Sequence, residues 1–326
     1  MASLADRLDA FQRRHRVVGF PLAVTYKFFD DQSNYLAATL TYYSFAAIFP
    51  LLLISSQVFG FLLQGNEELQ KKVLDSTLSQ FPIVGTALGT PQGLTGSTGV
   101  VIVGTLAALY GILGLGQAAQ NSIHVAYAIP RNSRPNPFLS RLHSGLLLMV
   151  AGLVLVVVAT ITSIAANAEV FGVAVNFTIS ILVNVASALL TAAVLALMMR
   201  VALPKSERFR DLLPGALATA ILWQLLQRLG RVYVSHVVAR ASDLNGLFAL
   251  TLGLLALLYV AANMGVIGVQ INVVLARHLW PRALLTPFTD AVELTDADRR
   301  AYVAYAKAQR HKGFETVDVT FGERDD

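Results

Sequence analysis

Four polar side chains sit inside one apolar stretch, LLPGALATAILWQLLQRLGRVYVSHVV, and they raise the question of chemistry first. Gln224, Arg228, Arg231 and Ser235 fall at i, i+4, i+7 and i+11, so a helix carries them on one face. Arginine suits phosphate because its planar fork donates two parallel hydrogen bonds. A helix entered near Leu212 places Arg228 about 24 Å and Arg231 about 28 Å along its axis. That is close to the far headgroups of a bilayer. Two readings follow. The arginines snorkel to the outer interface or pair with Glu169 and Asp243 in short outer loops, or they hold an anion such as a lipid phosphate. A second polar set comprises Asn263 and Gln270, seven residues apart, with Asn272 just beyond. Asn184, Ser187 and Thr191 lie in another apolar stretch. These either hydrogen-bond between helices or line a polar cavity.

The elements that must position them are dictated by composition. Of 326 residues, 55% are hydrophobic and 14% are charged, against roughly 25% charged in soluble domains. The deficit is concentrated in long uncharged stretches, which marks a membrane protein. Six stretches reach the ~20 residues needed to cross ~30 Å of hydrocarbon. They are Leu36–Leu63, Thr98–Gln120, Leu142–Ala166, Asn176–Leu203, Leu212–Val238 and Gly246–Ala276. No strand alternation of the barrel type occurs. The expected fold is therefore all-α, a six-transmembrane-helix bundle with N-terminal and periplasmic amphipathic helices.

Basic residues segregate. Alternate connections and the two ends hold twenty of the 25 Lys and Arg, and the opposite connections hold only Lys71, Lys72 and Arg240. The positive-inside rule then places both termini in the cytoplasm. This charge pattern explains the net +5 without nucleic acid. Residues 1–35 form an interfacial N-terminal segment, 36–276 the transmembrane domain and 277–326 a cytoplasmic tail. In the N-terminal segment Leu4, Leu8, Phe11 and Val18 share a face, between Arg13, Arg14 and Arg16. That helix either lies on the anionic leaflet or packs under the bundle. In the long outer connection 64–97, Leu69, Val73, Leu78 and Phe81 recur at near-helical spacing, which predicts a short helix on the outer interface. Thr295 followed by Asp298 predicts a helix N-cap, with the helix running to about Lys312.

Within the spans, Pro50 predicts a kink in the first, with Thr39, Thr41, Tyr42, Tyr43 and Ser44 before it. That helix either lines a cavity or is a kinked packing helix whose hydroxyls bond its own backbone. Gly104, Gly111, Gly114, Gly116, Gly265 and Gly268 suit close helix packing. No Walker A loop, dinucleotide fingerprint or H-E-x-x-H occurs. With no cysteine there is no thiol chemistry, and no two of the six histidines have close metal-ligand spacing. No Asp or Glu lies within a span. The reading is a protein that is not an enzyme and that needs no cofactor or metal.

Three stretches carry a resemblance to a known family. AATLTYYSFAAIFPLLL, LPKSERFRDLLPGALATAILW and LLYVAANMGVIGVQINVVLAR, together with Asn121 and the basic loop Arg131–Arg141, resemble the YihY/BrkB family and its YhjD branch over roughly residues 25–280. Gln270 stands where that family commonly has glutamate. The resemblance implies a bacterial cytoplasmic-membrane protein linked to envelope integrity. Joined to the arginine face, it points to transport or facilitation of an anionic envelope lipid or lipid-linked precursor. Arg228 and Arg231 would hold the phosphate, with Gln224, Asn263 and Gln270 as further ligand-binding residues. The alternative is a non-enzymatic scaffold that docks an envelope protein partner.

Overall fold

A computed structural model describes residues 4–62, 98–136, 177–203, 207–236, 243–290 and 292–322, with 138, 140–142, 144–148 and 152 between them. Every regular element among the described residues is helical. Two short helices, α1 (Leu4–Arg14) and α2 (Arg16–Asp30), precede the long α3 (Ser33–Leu62) and α4 (Thr98–Ala126). Then follow α5 (Phe177–Ala202), α6 (Phe209–His236), α7 (Asp243–Ala276) and the tail helix α8 (Asp296–Ala308). Helix α3 is continuous through Pro50. Before it, the Thr39 and Thr41 hydroxyls donate to their own backbone, on the Tyr35 and Ala37 carbonyls at 2.9 and 2.8 Å.

Five of the six expected spans thus correspond to long helices. Two of these, over Ile181–Ala202 and Thr251–Ala276, contain segments both long and apolar enough to cross a membrane. The third expected span, Leu142–Ala166, and the outer segment 64–97 lie largely outside the described residues. The five long helices form a ring in which α4 packs on α3, α3 on α7, α7 on α6, α6 on α5 and α5 on α4.

The outside of the ring is apolar. On α6, Leu213, Leu217, Ile221, Leu225 and Leu229 recur every four residues and all are exposed. Leu182, Val185, Leu189, Leu197 and Val201 are exposed on α5, and Ile102, Val103, Leu106 and Leu109 on α4. Such ridges exceed what a water-soluble surface tolerates and fit hydrocarbon.

Lipid tails supply no hydrophobic force between helices, so close contact must hold them. The core accordingly consists largely of small residues, among them Ala23, Ala126, Ala192, Ala196, Ala216 and Ala220. Helices α6 and α7 meet at Gly215 and Gly268. A Cβ on Gly215 would strike the Gly268 carbonyl oxygen and come within 2.7 Å of the Asn272 side chain. Asn272 uses that closeness. Its Oδ1 accepts the Gly215 N–H at 2.7 Å and its Nδ2 donates to the Leu212 carbonyl at 3.0 Å. These backbone groups flank Pro214, which has no N–H and crowds the turn before it. On the other side of the ring, Gly111 abuts Ala47 and Gly114 abuts the Tyr43 ring. Gly265 meets no neighbour among the described residues.

Three helices end alike. Ile129-Pro130-Arg131 follows α4, Leu203-Pro204-Lys205 follows α5, and Leu279-Trp280-Pro281-Arg282 follows α7. Proline after α4 and after α7 keeps those helices from resuming. Ile129, Leu203 and Leu279 are buried in one cluster. Helices α4 and α7 finish with the same backbone loop. Ile129 N–H donates to the His124 carbonyl at 2.9 Å and Leu279 N–H to that of Val274 at 3.0 Å. The turn is left-handed at Ala128 (φ 50°) and His278 (φ 51°), at a cost of about 1–2 kcal/mol each for a residue with a Cβ. The buried Ile129 and Leu279 offset it. The following loop is pinned by Arg134, which donates to the Ile129 carbonyl and to Asn121 Oδ1 at 3.2 and 3.3 Å.

Gly215→Ala is expected to lower stability by about 1–3 kcal/mol through overpacking. Gly265→Ala should be neutral or gain up to about 1 kcal/mol from helix propensity. Thermal unfolding of both proteins in one detergent checks this, and equal midpoints would contradict the α6–α7 contact.

Candidate functional site

The concentration of buried charge lies at the end of the ring that carries both terminal segments. It begins with a tight turn. Helix α2 ends at Asp30, and Gln32 adopts a left-handed conformation (φ 51°) that lets α3 start at Ser33. Asp31 is caught between the two helices. As the C-cap of α2 it meets the negative end of that dipole, while the N-terminus of α3 favours it. One turn back, Lys27 reaches both Asp31 oxygens at 2.6 Å. Gln270 of α7 then donates to Asp31 Oδ2 at 2.8 Å and to Ser33 Oγ at 3.0 Å. Gln270 is fully buried, and its Oε1 has no partner among the described residues. Lys27 Nζ also lies 4.8 Å from the centre of the Tyr305 ring on α8. Burial pushes the Lys27 ammonium down from its ordinary pKa and the Asp31 carboxyl up, with the pairing working against both shifts. Burial likewise raises the Tyr305 phenol.

A second buried cation joins the terminal segments. Arg282, 1% exposed, donates from Nε to Asp298 of α8 and from Nη2 to Asp30 Oδ2 at 3.1 Å. Asp298 is itself the N3 residue of a capping box with Thr295, and it accepts the Ala283 N–H at 3.0 Å. Burial alone would lower the Arg282 pKa, but the Asp298 hydrogen bond and the charge of Asp30 hold it above the usual guanidinium value. Helix α1 docks on the same strip by its polar side. Gln12 donates to the Arg282 carbonyl at 2.6 Å, and Asp9 accepts the Leu284 N–H at 2.8 Å. Leu8, Phe11 and Val18 are left exposed. The tail meets the loop after α4 as well, where Asn132 N–H donates to the Arg310 carbonyl at 3.1 Å.

The residues singled out by sequence do not gather in one place. Gln224 donates to the Asn184 carbonyl of α5 at 2.9 Å, fixing the α5–α6 contact. Arg228 is exposed. It lies seven residues beyond Ile221, on nearly the same face of α6, and Ile221 is exposed too. Arg231 belongs to the same helix, and its side chain lies outside the described residues, as do Glu169 and the side chain of Asp243. Asn263 donates back to the Tyr259 carbonyl of its own helix at 2.8 Å. Only Gln270 enters the charged cluster, about 20 Å or more of helix rise away from Arg228, given that Gly215 packs beside Gly268. Sequence reasoning missed Lys27, Asp30, Asp31 and Arg282, and read Asp298 only as part of a helix cap. The i, i+4 spacing of Lys27 and Asp31 was one available signal.

Breaking a buried ion pair from one side leaves a charge without compensation. Lys27→Met and Asp31→Asn are each expected to cost about 3–5 kcal/mol, and the double variant less than their sum and less than the worse single. Unfolding midpoints of the four proteins measure the coupling, and strict additivity would rule it out.

Comparison with curated proteins and with solved structures returns no match. A family model described as Virulence factor BrkB matches residues 24–287. The match runs from α2 past Arg282 and so takes in every long helix, the Lys27–Asp31–Gln270 cluster and the Arg228 face. The chain is a membrane protein of the BrkB family.

Proposed function

We propose that this protein crosses the bacterial cytoplasmic membrane six times, with both termini inside, and facilitates movement of an anionic envelope lipid or lipid-linked precursor without catalysing a reaction. The observation that carries the reading is Arg228. It is exposed on α6 between the exposed Leu225 and Leu229, on a surface otherwise suited to hydrocarbon. A lipid-facing cation costs about 2.5–3.5 kcal/mol at the bilayer centre by insertion scales, and less toward the outer headgroups where Arg228 falls. A lipid phosphate beside it removes that cost and gains a bidentate hydrogen bond. Arg231, three residues on, adds a second cation on the same helix. The Gln224 bond to α5 steadies the helix pair beneath them.

The docked N-terminal helix supports the same orientation. Its polar side grips the strip at Arg282–Leu284, and its apolar side, Leu8 and Phe11, is free to enter the leaflet between flanking arginines. Pro50 would let α3 bend as lipid passes. The scaffold alternative rests on segment 64–97, which lies outside the described residues, and no described contact favours it.

The test is lipid movement in vesicles of phosphatidylethanolamine and phosphatidylglycerol containing the purified protein. Arg228→Ala and Arg231→Ala should each slow movement by about tenfold, the equivalent of one charge-assisted hydrogen bond, and the double variant more. Rates unchanged in all three variants would remove the arginine site.

A further inference from the structure

The charged end of the ring holds a cavity that the lipid-facing arginines do not touch. It measures about 230 Å³ and lies between α2, the ends of α4 and α7, and the tail helix α8. This is many times the ~10–15 Å³ that a single water needs. Its polar lining comes from Lys27, Tyr127, Arg277, Arg300 and Tyr305, against a background of alanine, valine and leucine. Among the described residues no Asp or Glu lines it.

Each cation is partly engaged. Lys27 holds Asp31, Arg277 Nη2 meets Glu207 at 2.5 Å, and Arg300 Nη2 donates to the His278 carbonyl at 2.6 Å. Asp30 lies close to Lys27 and Tyr305 as well, so spare hydrogen-bond donors rather than net charge are what the wall offers an anion. A guanidinium carries five N–H donors, so both arginines retain unused ones. The decisive group is Tyr127. Its side chain is 5% exposed, it lines the cavity, and its hydroxyl has no partner among the described residues. Buried hydroxyls are normally satisfied. A donor of this kind, beside guanidinium forks and with no carboxylate on the wall, fits an oxyanion.

We propose that this cavity binds a phosphate-bearing anion, held by Tyr127, Arg277 and Arg300 with Lys27 at its inner wall. Such a ligand bridges the ends of α4 and α7 to α8, so its binding couples the tail to the ring. The phosphate is either free in solution or the headgroup of an anionic lipid. This site is separate from Arg228, and its test does not measure lipid movement, so either proposal can fail alone.

The experiment is thermal unfolding of the full chain in phosphatidylcholine nanodiscs, titrated with inorganic phosphate against chloride at matched ionic strength. Phosphate should raise the midpoint in a saturable manner. Tyr127→Phe, which removes only the hydroxyl, and Arg300→Gln should each weaken that response by about tenfold. Arg14→Gln, which removes the same charge from an exposed position on α1, should leave it intact. A lipid source would show itself differently. Phosphatidylglycerol nanodiscs would stabilise the native protein without phosphate, and Tyr127→Phe would lose that gain. No stabilisation beyond chloride in either lipid, or equal responses in Tyr127→Phe, Arg300→Gln and Arg14→Gln, would overturn the proposal.

Discussion

The Arg282 guanidinium ties this molecule together at its polar end. It has almost no contact with solvent, so the cost of dehydrating a charge is spent in full. What offsets that cost is the number of structures it joins. Asp298 brings in the tail helix, Asp30 the end of α2, and its own carbonyl takes Gln12 of α1. Neither α1 nor α8 has a large apolar face turned inward. Helix α1 leaves its leucine and phenylalanine exposed, and α8 packs chiefly through Ala297, Ala301 and Ala308. Directional polar contacts therefore do at this end what hydrophobic burial does in a soluble domain.

Within the ring a different constraint rules. Small residues set the distance between helices, and one asparagine, Asn272, satisfies backbone groups at the start of α6. The three helix endings, each a buried aliphatic residue with a proline and a base beyond it, close the ring at the same level. The base that follows α7 is Arg282, so the device that terminates a helix also supplies the cation that collects the termini.

How much of this was legible in the sequence follows from the range of each interaction. Helix limits were readable because hydropathy and proline act locally. The expected Leu212 start and the Leu203 and Ala276 ends fall within a few residues of the observed ones, and the Thr295–Asp298 cap is present. The tail helix stops at Ala308 rather than near Lys312, where no strong stop signal stands. The glycines of α4 and Gly268 pack as their spacing suggests, whereas Gly265 meets no neighbour among the described residues. Which helix, if any, stands opposite a glycine depends on the tertiary arrangement, which periodicity on one helix does not reveal. The charged cluster was illegible for the same reason. Arg282 and Asp30 are 252 positions apart, and Gln270 and Asp31 are 239 apart. Gln270 was noticed for its polarity inside a span, but the carboxylate it serves precedes the first span.

The wiring of Arg282 also has a temporal side. Chains are made from the N-terminus, so Gln12 and Asp30 exist long before the arginine that fixes them, and Asp298 is later still. During synthesis α1 and α2 have no clasp, and only their own affinity for the leaflet restrains them. The clasp shuts when nearly the whole polypeptide has left the ribosome. A message cut short before codon 282 would yield a protein with its long helices inserted but its front end loose, a difference that a protease at the membrane surface can recognise.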